Sequence, residues 1–234
     1  MTRQEQFIRL HRKFHRRVTG AQIGIFAGCV ILWEIAARLQ WIDGFFFCSP
    51  MILLKCFFRM LLGENLIMHL GYSLLEILIS FLLIFVISFG LSILLWYYLT
   101  LSRILEPFLV VFNALPKSAL APLFIVWMGT GSKTIIVAGI SVAVFGSIIN
   151  LYSGFRETDP EKLLLIQTLN GNRIDMLMKV VIPSAIPNII SVMKVNIGLA
   201  LVGVIIGEFF AGRRGLGYLI IYGTQVFSRD TIMI

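Results

Sequence analysis

Charge is scarce in this sequence. Of 234 residues only 14% are Asp, Glu, Lys or Arg, and histidine and cysteine occur three times each. Soluble domains carry about a quarter charged residues, so a chain wetted on all sides is excluded. Cys29, Cys48 and Cys56 have no CxxC spacing. They offer neither a metal cage nor a disulfide framework and read as small apolar residues. His11, His15 and His69 are too scattered for a metal site, and no acidic residues group with them. A nucleotide loop is also missing. Residues 129–134 read GTGSKT, but the Gly-x4-Gly-Lys-Ser/Thr spacing fails and no strand pattern precedes them. The chain is therefore expected to carry no catalytic residues, no metal and no cofactor, and any energy input is expected from a partner.

Apolar residues, by contrast, make up 58% of the chain, and the mean hydropathy is +0.91. Such a chain belongs in a bilayer. About 20 apolar residues span the hydrocarbon as a helix, and five runs qualify: 20–39, 73–99, 105–128, 134–154 and 188–210. None alternates as a barrel strand does, and lipid cannot satisfy free backbone groups, so an all-α polytopic membrane protein is expected.

Positive charge sets the expected orientation. Arg3, Arg9, Arg12, Lys13, Arg16 and Arg17 precede the first run against a lone Glu5, which puts residues 1–19 on the cytoplasmic side. Counting spans makes the turn at 101–104, with Arg103, cytoplasmic, 129–133 external, and 159–187 cytoplasmic again. Arg213 and Arg214 then fall outside, against the trend of the rule. The first run exceeds a cleavable signal core and ends in Glu34, Ala36, Ala37 and Arg38 with no small-x-small site, so it reads as an anchor. Segment 43–72, with Pro50, Lys55, Arg59, Glu64 and His69, reads as a short amphipathic helix in the outer interface. The net charge of +8 reports on topology and anionic lipid, and no base-stacking pattern suggests nucleic acid.

The polar island at 159–187, DPEKLLLIQTLNGNRIDMLMKVVIPSAIP, interrupts the apolar runs. Asp159 can cap a helix that begins at Pro160, and Glu161 adds negative charge to its positive end. Leu165 and Leu169 share one face. Gly171 suits the left-handed position that ends a helix, and Asn172 with Asp175 forms a capping box for a second one. Ile174, Leu177, Met178 and Val181 stripe that second helix, and Pro183 and Pro187 are expected to stop it. A capped helical pair in an apolar protein suits docking to something soluble.

This island resembles the cytoplasmic coupling loop of bacterial ABC-importer inner-membrane permeases, in the branch handling nitrate, taurine, alkanesulfonates and thiamine-precursor-like compounds. Asp159, Pro160, Glu161, Thr168, Leu169, Arg173, Lys179, Val180, Val181 and Pro183 match its pattern, with Ile182 for leucine. Residues 113–131, NALPKSALAPLFIVWMGTG, and 207–220, GEFFAGRRGLGYLI, match further stretches in the same order. Leu164, Leu165 and Ile166 replace the loop's Glu-Ala-Ala, and Asn170 stands at its glycine, with Gly171 one place later. The resemblance implies a type I importer permease fold, with a basic cytoplasmic arm at 1–19, a first transmembrane helix and external amphipathic segment at 20–69, and a type 1 transmembrane domain at 70–234 whose coupling loop covers about 155–187. The family's sixth span would follow the GLGYLI stretch, yet the chain stops at Ile234, so about five spans are expected, with a sixth missing or truncated.

From the same resemblance come the expected partners: an ATP-binding subunit, an extracytoplasmic solute-binding protein and a second permease copy, homodimeric, in a bacterial cell membrane. ATPase coupling would fall to Asp159, Pro160, Glu161, Thr168, Leu169, Asn170, Gly171 and Arg173. A secondary transporter without an ATPase is the alternative, but the internal repeat it calls for is missing.

Ionisable residues within apolar runs are costly and often functional. Glu34 and Lys194 read as span-end residues whose chains snorkel. Glu76 is a further ionisable residue within a run, and Glu208 faces either a central cavity or a subunit seam. Asn113, Pro116 and Lys117 interrupt the third run, and Pro116 with Pro122 frees carbonyls that need partners. That suits a pathway-lining helix, with a plain packing kink as the alternative.

Overall fold

The computed structural model describes residues 3–39, 41, 49–63 and 66–230, with side chains described from residue 17 onward except at 53, 56, 59, 63 and 225–230. Helices α1 (Arg3–Arg38) and α2 (Pro50–Gly63) belong to one compact unit, Met1–Leu66, and the remaining helices to a second, Ile67–Ile234. In the first unit the basic arm is itself helical and runs into the apolar stretch without a break. Glu34 pairs with Arg38 at 2.7 Å and accepts the Met51 N–H at 3.2 Å, holding the start of α2. Exposed Met51, Ile52, Leu54, Phe57 and Phe58 give α2 the apolar side an interfacial helix uses. Residues 42–48, with Cys48, and the Cys56 side chain lie outside the described residues.

The second unit comprises α3 (Leu66–Tyr97), α4 (Leu99–Ala114), α5 (Lys117–Met128), α6 (Ser132–Arg156), α7 (Pro160–Thr168), α8 (Arg173–Met176), α9 (Ile182–Ala211) and α10 (Leu216–Asp230). Among the described residues four helical stretches, Arg17–Arg38, Leu66–Tyr97, Ser132–Arg156 and Arg173–Ala211, are long and apolar enough to cross a membrane. The fifth expected span is broken: α4 and α5 meet at 96°. Leu115 is extended, at φ −62° and ψ 138°, because a residue before proline is kept out of the helical region. Pro107 and Pro122 stay inside their helices. The turn expected at 101–104 sits instead at Tyr98, and 101–104 is the first part of α4.

The bent pair nevertheless joins opposite ends of the bundle. At the Tyr98 end, the Tyr97 carbonyl accepts Arg173 Nη1 at 2.7 Å. At the other end, Gly131 N–H donates to the Ala211 carbonyl at 3.1 Å. Together α4 and α5 therefore make one crossing, and α6 returns to the Arg173 side.

Small residues let the core helices approach closely, the main packing device between helices in lipid. A Cβ on Gly203 would stand 2.8 Å from Gly139 Cα, and one on Gly207 3.0 Å from Ile135 Cα, so α6 and α9 touch along their backbones. Buried Ser73, Ser80, Ser88 and Ser92 give α3 a narrow face at helical spacing. Ser88 and Ser92 donate to carbonyls one turn back, and Ser92 also reaches Ile148 O at 3.1 Å. Ile77, Ile84, Ile135, Ala143, Ala200 and Val204 close the core around these contacts. Leu78, Leu82, Val86 and Leu201 are exposed, as lipid-facing side chains are.

Gly203→Leu is expected to destabilise the bundle by about 3 kcal/mol, the upper end of ordinary overpacking, because the new side chain meets backbone on α6. Gly198 on the same helix has nothing within 4 Å of its Cβ position, so Gly198→Leu is the neutral control. Thermal unfolding of the purified protein in detergent checks both.

Candidate functional site

The island begins as its residues dictate. Asp159 accepts the Glu161 N–H at 2.9 Å and caps α7, with Pro160 in the first turn. The end of α7 differs from expectation. The left-handed residue is Asn170, at φ 61°, a conformation asparagine tolerates better than most residues. Gly171 is needed for space: its N–H donates to Ile166 O at 2.9 Å, and a Cβ there would lie 2.5 Å from Ile166 Cγ2. Asn172 and Asp175 then form the reciprocal box, with bonds of 2.8 and 3.1 Å, and Lys179 pairs with Asp175 at 2.6 Å.

Pro183 and Pro187 do not end the second helix. Residues Leu177–Val181 form a π turn in which Ile182 N–H donates to Leu177 O, and the helix continues through both prolines to Ala211. The wider turn accommodates a ring that would otherwise collide with the carbonyl four residues back. Leu177 and Val181 are buried with Phe155 and Ala185, and Leu163 packs on them. The rest of the expected stripe faces outward. Ile174 and Met178 are exposed, as are Leu164, Leu165 and Leu169. The result is a short knob, rooted in the bundle and tied to α3 through Arg173, with a cluster of apolar side chains left open. Asp159, Pro160, Glu161, Thr168, Leu169, Asn170, Gly171 and Arg173 all lie in it.

Asn113, Pro116 and Lys117 also come together, at the α4–α5 break. Lys117 Nζ donates to Phe112 O at 2.6 Å and Asn113 O at 2.7 Å, and lies 6.0 Å from the Phe145 ring centre. Glu208 does not join them. It is 1% exposed, accepts Ser73 Oγ at 2.6 Å and Gly217 N–H at 2.6 Å, and so holds the first turn of α10. Ser73 Oγ accepts Leu216 N–H, and His69 Nδ1 accepts Gly215 N–H. Buried Glu76 faces Ser132 and the Glu208 carboxyl. Arg214 lies over the Tyr72 ring and donates to its hydroxyl, while Arg213 reaches Thr130. Both arginines are thus engaged where the charge rule was strained. Lys194 sits exposed within the long α9 rather than at its end.

A groove of about 320 Å³ between α6 and α9 did not emerge from the sequence reading. Gly146, Ser147, Asn150 and Ser153 line it from α6, and Asn188, Ser191 and Asn196 from α9. Polar residues recurring at helical spacing within two apolar runs are the signal that could have revealed it. Among the described residues no group of three His, Cys, Asp or Glu side chains could hold a metal ion.

The chain is similar in sequence to several known proteins. The chain is 32% identical over 201 residues to a probable ABC transporter permease protein of Haemophilus influenzae, covering 86% of this chain and 81% of that one. It is 27% identical to the formylaminopyrimidine transport permease protein ThiX of Halalkalibacterium halodurans, covering 81% and 75%. Identity is 26% to the putative aliphatic sulfonates transport permease protein SsuC of Bacillus subtilis, covering 95% and 82%. Residues 87–233, from within α3 to beyond α10, match the family described as the binding-protein-dependent transport system inner membrane component. With its apolar spans, its knob and these matches together, the chain belongs to that family of multi-pass membrane permeases.

Proposed function

We propose that this chain is the transmembrane subunit of an ATP-driven importer, that two copies enclose the solute pathway, and that the α7–α8 knob couples them to a separate ATPase. The exposed Leu164, Leu165, Leu169, Ile174 and Met178 carry the reading. Several large apolar side chains left exposed on one short polar segment mark a protein contact. Its backbone is held by the Asp159 cap, the Asn172–Asp175 box and the Arg173 bond to α3, so a push on the knob reaches the spans rather than being absorbed locally. In this reading the N-terminus is cytoplasmic, as the positive-inside rule favours for the basic arm, and the knob is cytoplasmic as well.

In this mechanism, ATP binding closes the ATPase pair, the two knobs move with it, and the spans switch which side sees the central cavity. An extracytoplasmic binding protein delivers the solute. Sulfonates, taurine, nitrate and thiamine-precursor-like compounds are the candidate solutes, from the family resemblance and from the relatives named as sulfonate and formylaminopyrimidine permeases. Copurification from the native membrane, followed by uptake in proteoliposomes, tests this. The expected result is a nucleotide-hydrolysing companion and uptake that needs both ATP and the binding protein. Uptake driven by an ion gradient with no such companion would overturn it.

A further inference from the structure

We infer that the α6–α9 groove is one wall of the solute pathway, open on the knob side, and that Asn150, Ser153 and Ser191 match the passing solute there through hydrogen bonds. This rests on the transport reading above and deepens it.

The groove has a direction. Exposed Glu157, the residue that ends α6, stands two places before the Asp159 cap, so the lining begins at the root of the knob. From there α6 contributes Ser153, Asn150 and Gly146, a run of about 16 Å, or about half the thickness of a bilayer core. Past Gly146, near the middle of α6, the two helices close up. Gly203 and Gly207 of α9 lie against the α6 backbone at Gly139 and Ile135. At the inner end Ser147 Oγ and the side-chain amide of Asn196 bond to each other at 2.7 Å, so this buried pair is satisfied within the fold. A recess that opens at one end of the bundle and stops midway has the form of one half of an alternating-access route.

Its lining does not suit lipid. Asn188 sits where Gly154 leaves it room, and its Nδ2 donates to Asn150 O at 3.2 Å. Asn150, Ser153 and Ser191 are exposed, and among the described residues their side chains are left without a protein partner, since the bonds in the groove go to Ser147, Asn188 and Asn196. A serine can turn back to its own helix, but an amide with two donors and an acceptor is not satisfied that way. Hydrocarbon would leave Asn150 unpaired, so this face meets water or protein. The shape decides for water. Helices packed in lipid press small residues together, whereas a recess of about 320 Å³ that ends at an exposed carboxylate is wet at its mouth and wide enough for a small ligand. Beyond Glu157 the lining is amide, hydroxyl and apolar, without charge. A polar solute meets donors and acceptors there, and no ion pair detains it.

The test uses the permease assembled with its ATPase, against a background in which Cys29, Cys48 and Cys56 are replaced by serine. In nanodiscs, a water-soluble methanethiosulfonate should modify Asn150→Cys, Ser153→Cys and Ser191→Cys at least about tenfold faster than the lipid-facing Leu82→Cys and Val86→Cys, because a thiol reacts as its thiolate and apolar surroundings suppress that form. In proteoliposomes with saturating loaded binding protein, modification at these three positions should block uptake. Asn150→Leu, at an exposed position whose change leaves the packing alone, should lower maximal uptake about tenfold, as for one lost hydrogen bond, with the ATPase still copurifying. Asn150→Gln should recover most of it, since the amide is kept. Labelling as slow as at Leu82→Cys, cross-linking of Ser191→Cys to the second copy without labelling, which would make this face the seam, or parental uptake in Asn150→Leu would each overturn the assignment. Failure of the transport reading itself looks different: no ATPase copurifies, or uptake ignores ATP, whatever the groove cysteines do.

Discussion

Replacing Gly171 with leucine should abolish ATP-driven uptake while the chain still inserts and purifies. The reason is local. Gly171 closes the turn between α7 and α8 by donating to Ile166 O, and its Cβ position lies 2.9 Å from that same oxygen and 2.5 Å from Ile166 Cγ2. The methyl of Ile166 can turn away, but the carbonyl cannot without breaking the bond that closes the turn. Strain of about 1–3 kcal/mol is expected there, too little to unfold a helical bundle whose buried clusters lie mostly elsewhere. It is enough to swing Leu164, Leu165 and Leu169 out of register with Ile174 and Met178, and a docking patch works only if its members stay in register. ATP hydrolysis by the assembled complex would then persist without uptake, or assembly itself would fail. Normal uptake by Gly171→Leu at parental expression would refute the knob as the lever. Asn170→Gly provides the contrast: it keeps the left-handed conformation at φ 61° and should leave uptake near the parental rate.

The helical membrane body was readable because span length and apolar content are local properties of the chain. The caps at Asp159, and at Asn172 with Asp175, were readable for the same reason, since each is satisfied within three residues. What escaped depended on backbone geometry or on distant partners. Pro183 and Pro187 read as a stop because proline removes a bond from a regular helix, but the π turn at Leu177–Val181 supplies a different ladder that no local rule announces. The left-handed residue was assigned to Gly171 on propensity, whereas Asn170 takes it and the glycine answers to Ile166. Pro116 was recognised as an interruption, but the 96° bend follows from the backbone of Leu115 as well. The partners of Glu208 come from α3 and α10, more than a hundred residues away in one case, so the sequence alone left its role open between a cavity and a seam.

Glu208→Ala is expected to release the first turn of α10. The carboxylate is 1% exposed and accepts two hydrogen bonds of 2.6 Å, from Ser73 Oγ and from Gly217 N–H. Ser73 is oriented in turn by Leu216 N–H at 2.8 Å, and His69 takes Gly215 N–H at 3.0 Å. The free N–H groups that every helix start presents are thus met by side chains of α3 and α9. The glycines make this possible: Gly215 has φ 106°, and Cβ atoms at 215 and 217 would fall 2.2 and 2.7 Å from Glu208 atoms. Alanine at 208 would leave a cavity, an unpaired serine hydroxyl and an unpaired amide, a cost of about 3 kcal/mol or more when charge-assisted bonds are lost. Glutamine should fall between the two, because its amide can accept from one donor but presents N–H to the other. Hydrogen exchange at Gly215, Leu216, Gly217 and Leu219, and tryptic cleavage after Arg213 or Arg214, would measure the release. Faster exchange confined to α10, with α6 and α9 unchanged, is the expected pattern. Parental protection in Glu208→Ala would mean that α10 is held by its apolar contacts, and that the buried carboxylate serves something other than the fold.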